Sequence, residues 1–138
     1  MSPSAQDCAE LLAFLPPLSA PGFKPVIRWA GGEKRADGTI NMPWPEYADV
    51  VEDFFQAAGR EVWTDRKYRS AGAGKMLENH DFVRTASLQQ IKTMLTFCVR
   101  GERFCDGHWE EMIESGNICR LLERLSELYE AIRKQEGA

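Results

Sequence analysis

Residues 87–118, SLQQIKTMLTFCVRGERFCDGHWEEMIESGNI, decide how this chain folds. Ser87 followed by Gln90 is a capping-box pattern, in which a hydroxyl and a side-chain amide satisfy the backbone of the first helical turn. Leu88, Ile91, Met94, Leu95, Cys98 and Val99 then recur at helical spacing and form one apolar stripe. From Val99 to Glu111 the chain crowds together two arginines, several acids, a cysteine, a histidine and a tryptophan, which suits either a reactive site or a corner between helices. The flanking stripes favour the corner. Val99 closes the preceding core face, Phe104 is placed to anchor the bend, and Asp106 is expected to cap a short helix carrying Trp109, Met112 and Ile113, with Gly116 ending it. Ile118, Leu121, Leu122, Leu125, Leu128, Tyr129 and Ile132 then make a long amphipathic C-terminal helix.

Upstream, Ser4 can cap a helix over residues 4–15 that Pro16 and Pro17 stop. Phe23–Trp29 is β-prone, and Thr39–Met42 is expected to return beside it across the polar loop GGEKRADG as a small irregular hairpin. Pro25 confines its strand to an edge or a late start, and Asp37-Gly38 suits the positive-φ turn positions. Pro45 fits the first turn of a second helix over EYADVVEDFFQAAG, where Tyr47, Val50, Val51, Phe54 and Phe55 share a face before Gly59 at C′. Val62 and Trp63 are expected to cover the core rather than build a sheet, and a short helix within Tyr68–Asn79 is weakened by Gly72 and Gly74. The whole is a mainly α domain of five to six helices with a minor two-stranded hairpin in its N-terminal half, the last three helices forming the core against helix two. No repeat or linker divides residues 1–138.

Composition supports a globular chain: 43% hydrophobic and 28% charged residues, with a net charge of −4. An acidic balance leaves no electrostatic footprint for general nucleic-acid binding, so any phosphate contact must be local. No apolar run is long enough for a membrane span, and the N-terminus lacks the basic and apolar regions of a signal peptide, so the cytoplasm is the expected location. Cys8, Cys98, Cys105 and Cys119 are too few for a disulfide framework and are expected as reduced thiols.

Several motifs invite chemistry and fail in detail. Ala71-Gly-Ala-Gly-Lys75 suggests a phosphate loop, but Arg69 stands where the first glycine is required and Met76 where the metal-binding hydroxyl belongs. Cys98, Cys105, His108 and Cys119 are zinc-compatible residue types, yet Cys98 and Cys119 sit on or beside apolar stripes, where free cysteine acts as a small hydrophobe. No metal and no cofactor is expected. His108 with Glu111, and Asp106 with Glu110, lie one turn apart and allow a histidine–carboxylate pair; the plainer reading is a helix start stabilised by acids near its positive end. Arg100 and Arg103, three residues apart at a helix exit, can converge on a carboxylate or phosphate, or pair with Glu102, Asp106 or helix carbonyls to lock the corner. Trp29, Trp44, Trp63 and Trp109 suit either core or a partner surface, and Trp44, between two prolines, is the one expected to be exposed.

Val99-Arg-Gly-Glu-Arg-Phe104, Gly107-His108, Glu114-Ser-Gly-Asn-Ile118 and Leu122-Glu-Arg-Leu125 resemble a family of small bacterial domains of unknown function, with a Val-Arg-x-x-Arg-Phe-x-x-Gly corner and a Gly-x-Ile turn into a terminal helix. The resemblance covers roughly residues 20–130 and implies a recurring domain design; the family brings no activity, cofactor or catalytic residue with it. The leading expectation is a non-catalytic cytoplasmic binding or regulatory module acting through a protein partner, with Arg100, Arg103, Asp106, His108, Trp109 and Trp44 as candidate binding residues. The alternative is a small enzyme or ligand-binding domain for a phosphorylated or nucleotide-like molecule, clamped by Arg100 and Arg103 with His108 or Asp106 as acid/base.

Overall fold

The computed structural model describes residues 2–137. Helices α1 (Ala5–Leu12) and α2 (Leu15–Leu18) precede a hairpin of β1 (Val26–Ala30) and β2 (Trp44–Tyr47). Then follow α3 (Asp49–Ala58), α4 (Ala73–Glu78), α5 (His80–Arg84), α6 (Leu88–Arg100), α7 (His108–Glu114) and α8 (Asn117–Glu136). Single 3₁₀ turns lie at Glu61–Trp63 and Gly101–Arg103. The mainly α domain with one minor antiparallel hairpin is the architecture the periodicity predicts. The helices outnumber the five or six expected because two polar or prolyl sites start new turns. Pro16 and Pro17 begin the single turn of α2, where their missing N–H groups and fixed φ suit the first positions. Asn79 accepts the Phe82 N–H at 3.1 Å and opens α5 directly after α4.

Helix α6 is the hub, facing α3, α4, α7 and α8. Its start is the expected capping box, with the Gln90 N–H donating to Ser87 Oγ at 3.1 Å and the Ser87 N–H to Gln90 Oε1 at 2.9 Å. Ile91, Met94, Leu95 and Cys98 are sealed, and they meet Ile118, Leu121, Leu122 and Leu125 of α8 and Val51, Phe54 and Phe55 of α3 in one core. Burying each such side chain stabilises the fold by roughly 1.5–3 kcal/mol. Trp63 is also core, as expected, and its loop is strapped to α6 by polar bonds. The Asp65 N–H donates to Thr96 Oγ1 at 2.9 Å and Thr93 Oγ1 donates to Asp65 Oδ2 at 2.5 Å. The Thr93 hydroxyl holds the Asp65 carboxyl below the usual carboxylate range.

The hairpin pairs differently from expectation. Its return strand is Trp44–Tyr47, in register Trp29↔Pro45 and Ala30↔Trp44, while Thr39–Met42 lies within the connecting loop, held by the Lys34↔Ile40 bridge and the Gly32 N–H to Asn41 O bond of 2.8 Å. Pro45 therefore sits in a strand rather than in the first turn of α3, which starts only at Asp49. In a two-stranded ladder a residue without an N–H can face the open edge at no cost in pairing. Pro25 delays β1 to Val26, as read. Gly59 ends α3 as its cap, with φ −86°, one position before the C′ site assigned to it. Trp44 is 46% exposed, its ring lying over Gly31, whose φ of +80° and lack of a Cβ both suit that approach; a Cβ there would come within 2.6 Å of the indole.

Candidate functional site at the α6–α7 corner

The corner has an inner and an outer side. On the inner side, Glu102 turns back into the molecule and does what Asp106 was expected to do. Its carboxylate accepts the Gly107 N–H at 3.0 Å, the Trp109 N–H at 2.8 Å and the Tyr47 hydroxyl at 2.9 Å. It thereby caps α7 and ties the hairpin's end to the corner in one group, a charge-assisted arrangement. Burial and then the Glu102 bond push the Tyr47 hydroxyl far above its ordinary value. Glu110 is also pushed up, by burial first and then by Glu114, Glu102 and Glu111. Asp106 is exposed and caps nothing.

Trp109 is turned inward. Its ring stacks on Phe55 with centroids 4.4 Å apart and planes 4° from parallel, leans on Tyr47 at 5.2 Å, and its Nε1–H donates to the Val99 carbonyl at 3.0 Å. His108 crosses the end of α6 and meets Phe97 edge-on at 5.3 Å. That crossing requires Gly101: a Cβ on it would lie 2.2 Å from His108 Nε2. The same nitrogen is buried without a hydrogen-bond partner, and burial holds the imidazole below its usual value, hence neutral at pH 7. His108, Asp106, Arg100 and Arg103 share no cavity: none of the four lines the cleft beside Tyr68 or the two clefts that Arg120 borders.

The outer side is cationic and aromatic. Arg100 is half-buried with its guanidinium 5.7 Å from the centroid of Tyr68, and Arg69 approaches the same ring at 5.8 Å and the Phe104 ring at 4.9 Å. Arg69 Nε also donates to the Tyr68 hydroxyl at 3.2 Å. Phe104 is 69% exposed, so the bend is not anchored by burying it. Arg103 is exposed on the same turn. Neither Arg100 nor Arg103 pairs with Glu102 or Asp106; the Glu102 carboxylate is directed instead at backbone and hydroxyl donors on the inner side. Beside them a shallow cleft of about 320 Å³ is lined by Tyr68, Arg69, Lys75, Phe97 and the Gly72–Gly74 backbone. The Ala71–Lys75 segment thus lies next to the corner, but its helix is entered from the turn residues 66–72, the last of them Gly72 at φ +80°, rather than from a strand.

Six other arginines face carboxylates: Arg28 with Glu46, Arg60 with Glu10, Arg66 with Glu61, Arg84 with Asp81, Arg124 with Glu127 and Arg133 with Glu130. Among the described residues Arg35, Arg69, Arg100, Arg103 and Arg120 have no such partner, although acids outnumber bases 21 to 17 in the sequence; Arg35 bonds Asn41 and Arg120 bonds Asn117 and the Ser115 carbonyl, which leaves the three at the corner. The zinc-compatible set does not assemble. Cys98 is sealed in the core with its thiol pushed up by burial, Cys105 is exposed, Cys119 is half-buried, and among the described residues no three metal-ligating side chains gather.

Arg69 and Tyr68 are absent from the residues singled out in the sequence, where residues 60–69 read as a mixed segment. The signal available was only local: three cations around one tyrosine. That they meet a corner some thirty residues later depends on the loop strapped by Asp65. No helix of the described residues is long and apolar enough to cross a membrane. No curated protein and no solved structure matches the chain. Similarity to a family model instead extends over residues 3–131, taking in the N-terminal helix as well as the hairpin, the corner and three quarters of α8. The chain belongs to that family, a family of unknown function, DUF6508.

Proposed function

We propose that this protein is a non-catalytic binding module of the bacterial cytoplasm, and that it captures an acidic segment of a protein partner on the outer side of the α6–α7 corner. The observation that carries this reading is that Arg69 and Arg100 lie on the rings of Tyr68 and Phe104, with Arg103 exposed on the adjoining turn, and that none of the three has a carboxylate of its own. Guanidinium forks stacked on rings are pre-organised for carboxylates, and an exposed aromatic beside them supplies apolar contact area. Free thiols at all four cysteines suit a reducing compartment. The inner residues Glu102, Trp109 and His108 serve the reading by holding the corner rigid, since their polar groups and rings are engaged with the protein itself.

The test is capture of partners from a native extract by the wild type and by the triple variant Arg69→Glu, Arg100→Glu, Arg103→Glu, with folding checked by circular dichroism. The wild type is expected to retain a partner at low salt and to lose it as salt screens the contact, while the folded triple variant retains none. Retention unaffected by the reversal, or robust turnover of a small molecule by the isolated protein, would overturn the reading.

A further inference from the structure

Away from the corner's outer face, two clefts open between α4–α5 and α7–α8 and share His80 and Arg120 in their walls. The larger, about 560 Å³, is partly apolar, with Leu77, Phe97 and Met112 among its lining residues; the smaller, about 400 Å³, is lined by His80, Arg84, Arg120, Arg124, Glu123 and Glu127. Arg120 and Arg124 stand one turn apart on α8 and are positioned mainly by neutral acceptors. Arg120 Nη2 donates to the Ser115 carbonyl at 3.1 Å and to Asn117 Oδ1 at 2.7 Å; Arg124 Nε donates to the Ala86 carbonyl at 2.9 Å. Neutral carbonyls fix a guanidinium without cancelling its charge. The one carboxylate contact is long, Arg124 Nη1 to Glu127 at 3.9 Å. Both bonds of Arg120 use Nη2, so its Nη1 has no partner among the described residues, and its Nε is buried and likewise unpaired, a costly state in a folded protein. Gly116 makes room for this placement, because a Cβ there would lie 2.7 Å from Arg120 Nη1.

We infer that the paired clefts form a binding site for a small organic anion, its acidic head held by Arg120 and Arg124 and its apolar body lodged against Leu77, Phe97 and Met112. A carboxylate and a phosphate monoester present the same fork-compatible oxygens. Glu78 and Glu111 line the larger cleft with Arg120 as its one arginine, whereas Glu123 and Glu127 share the smaller cleft with Arg84, Arg120 and Arg124, so the acid is favoured at the smaller end. The site is independent of the corner arginines, none of which lines either cleft.

The experiment is titration of the full chain with phenyl phosphate, phenylacetate, inorganic phosphate and neutral benzyl alcohol, followed by the backbone amide resonances of Leu77, His80, Phe97 and Arg120. Saturable shifts confined to these residues are expected with phenyl phosphate or phenylacetate, and which of the two binds tighter identifies the head group. Benzyl alcohol and Arg120→Met should each weaken binding about tenfold or more, the effect of losing a hydrogen bond to a charged group. Because Arg120 also ties down the end of α7, Arg124→Met provides the parallel variant and should weaken the same anion severalfold. Absence of saturable shifts with both aromatic anions, equal affinity for benzyl alcohol, or binding unchanged in folded Arg120→Met or Arg124→Met would overturn the inference.

Discussion

The inner and outer sides of the α6–α7 corner are built from neighbouring residues and obey opposite rules. Glu102 spends both oxygens on Gly107, Trp109 and Tyr47, while Arg100 and Arg103, two and one positions away, find no carboxylate at all. A half-buried carboxylate turned toward helix N–H groups and a hydroxyl satisfies them and is satisfied in turn, whereas a guanidinium at the rim can lie on an aromatic ring and leave its donors to water or to a ligand. Neighbours in sequence are thus divided, by the partners each side chain meets, into architecture and candidate recognition.

The comparison breaks first if Glu102 is dispensable. Glu102→Ala strands two helix N–H groups and the Tyr47 hydroxyl, and it is expected to cost about 3 kcal/mol or more, seen as a lower denaturant midpoint in equilibrium unfolding. Tyr47→Phe in that background should add less than it does alone, since the two share one bond. A loss below about 0.5 kcal/mol would place Glu102 with the ordinary surface residues.

Gly101→Ala comes next. The new methyl group would overlap the His108 ring, and overpacking of this kind costs about 1–3 kcal/mol. The double variant Gly101→Ala, His108→Ala should recover part of that loss in the same unfolding assay. Full additivity would show that the glycine serves some need other than passage of the ring.

A smaller effect sharpens the inner side through pH. Burial lowers the His108 value in the folded protein, so the unfolded chain binds a proton that the native ring resists. The stability this neutral ring contributes is intact above the unfolded value of about 6.5 and is lost as pH falls below it through the folded value. The melting temperature of the wild type should therefore decline over that window more steeply than that of His108→Gln; parallel curves would mean that the imidazole is not desolvated.

The least effect on folding is expected on the outer side. Arg103→Ala, with the side chain exposed and without a carboxylate partner, should change stability by no more than about 0.5 kcal/mol while reducing partner capture. A strongly destabilised Arg103→Ala would merge the two sides into one structural unit.

Much of this was legible in the chain. The Ser87–Gln90 box and the Ile91–Cys98 stripe specify α6, and the Ile118–Leu125 stripe specifies the first half of α8, because helix period and capping are local properties of consecutive residues. The hairpin's existence was legible, but its register was not. Thr39–Met42 and Trp44–Tyr47 are both plausible return strands, and what separates them is that Tyr47 must reach Glu102 and the core. The capping of α7 was misread for the same reason, since Asp106 is the local candidate and Glu102 wins only through the 3₁₀ turn that folds it back.

By itself, then, the sequence determined an acidic, mainly helical fold, its central and terminal helices, and the corner as the place where polar residues concentrate. Only the tertiary structure decided which of those residues are consumed by the fold. It turned Trp109 and His108 inward, brought Arg69 and Tyr68 beside Arg100, and put Arg120 and His80 in the walls of the same clefts. The physical reason is that helix periodicity is a property of residues three and four apart, while the partner of a charge is whatever the packing of distant elements delivers to it.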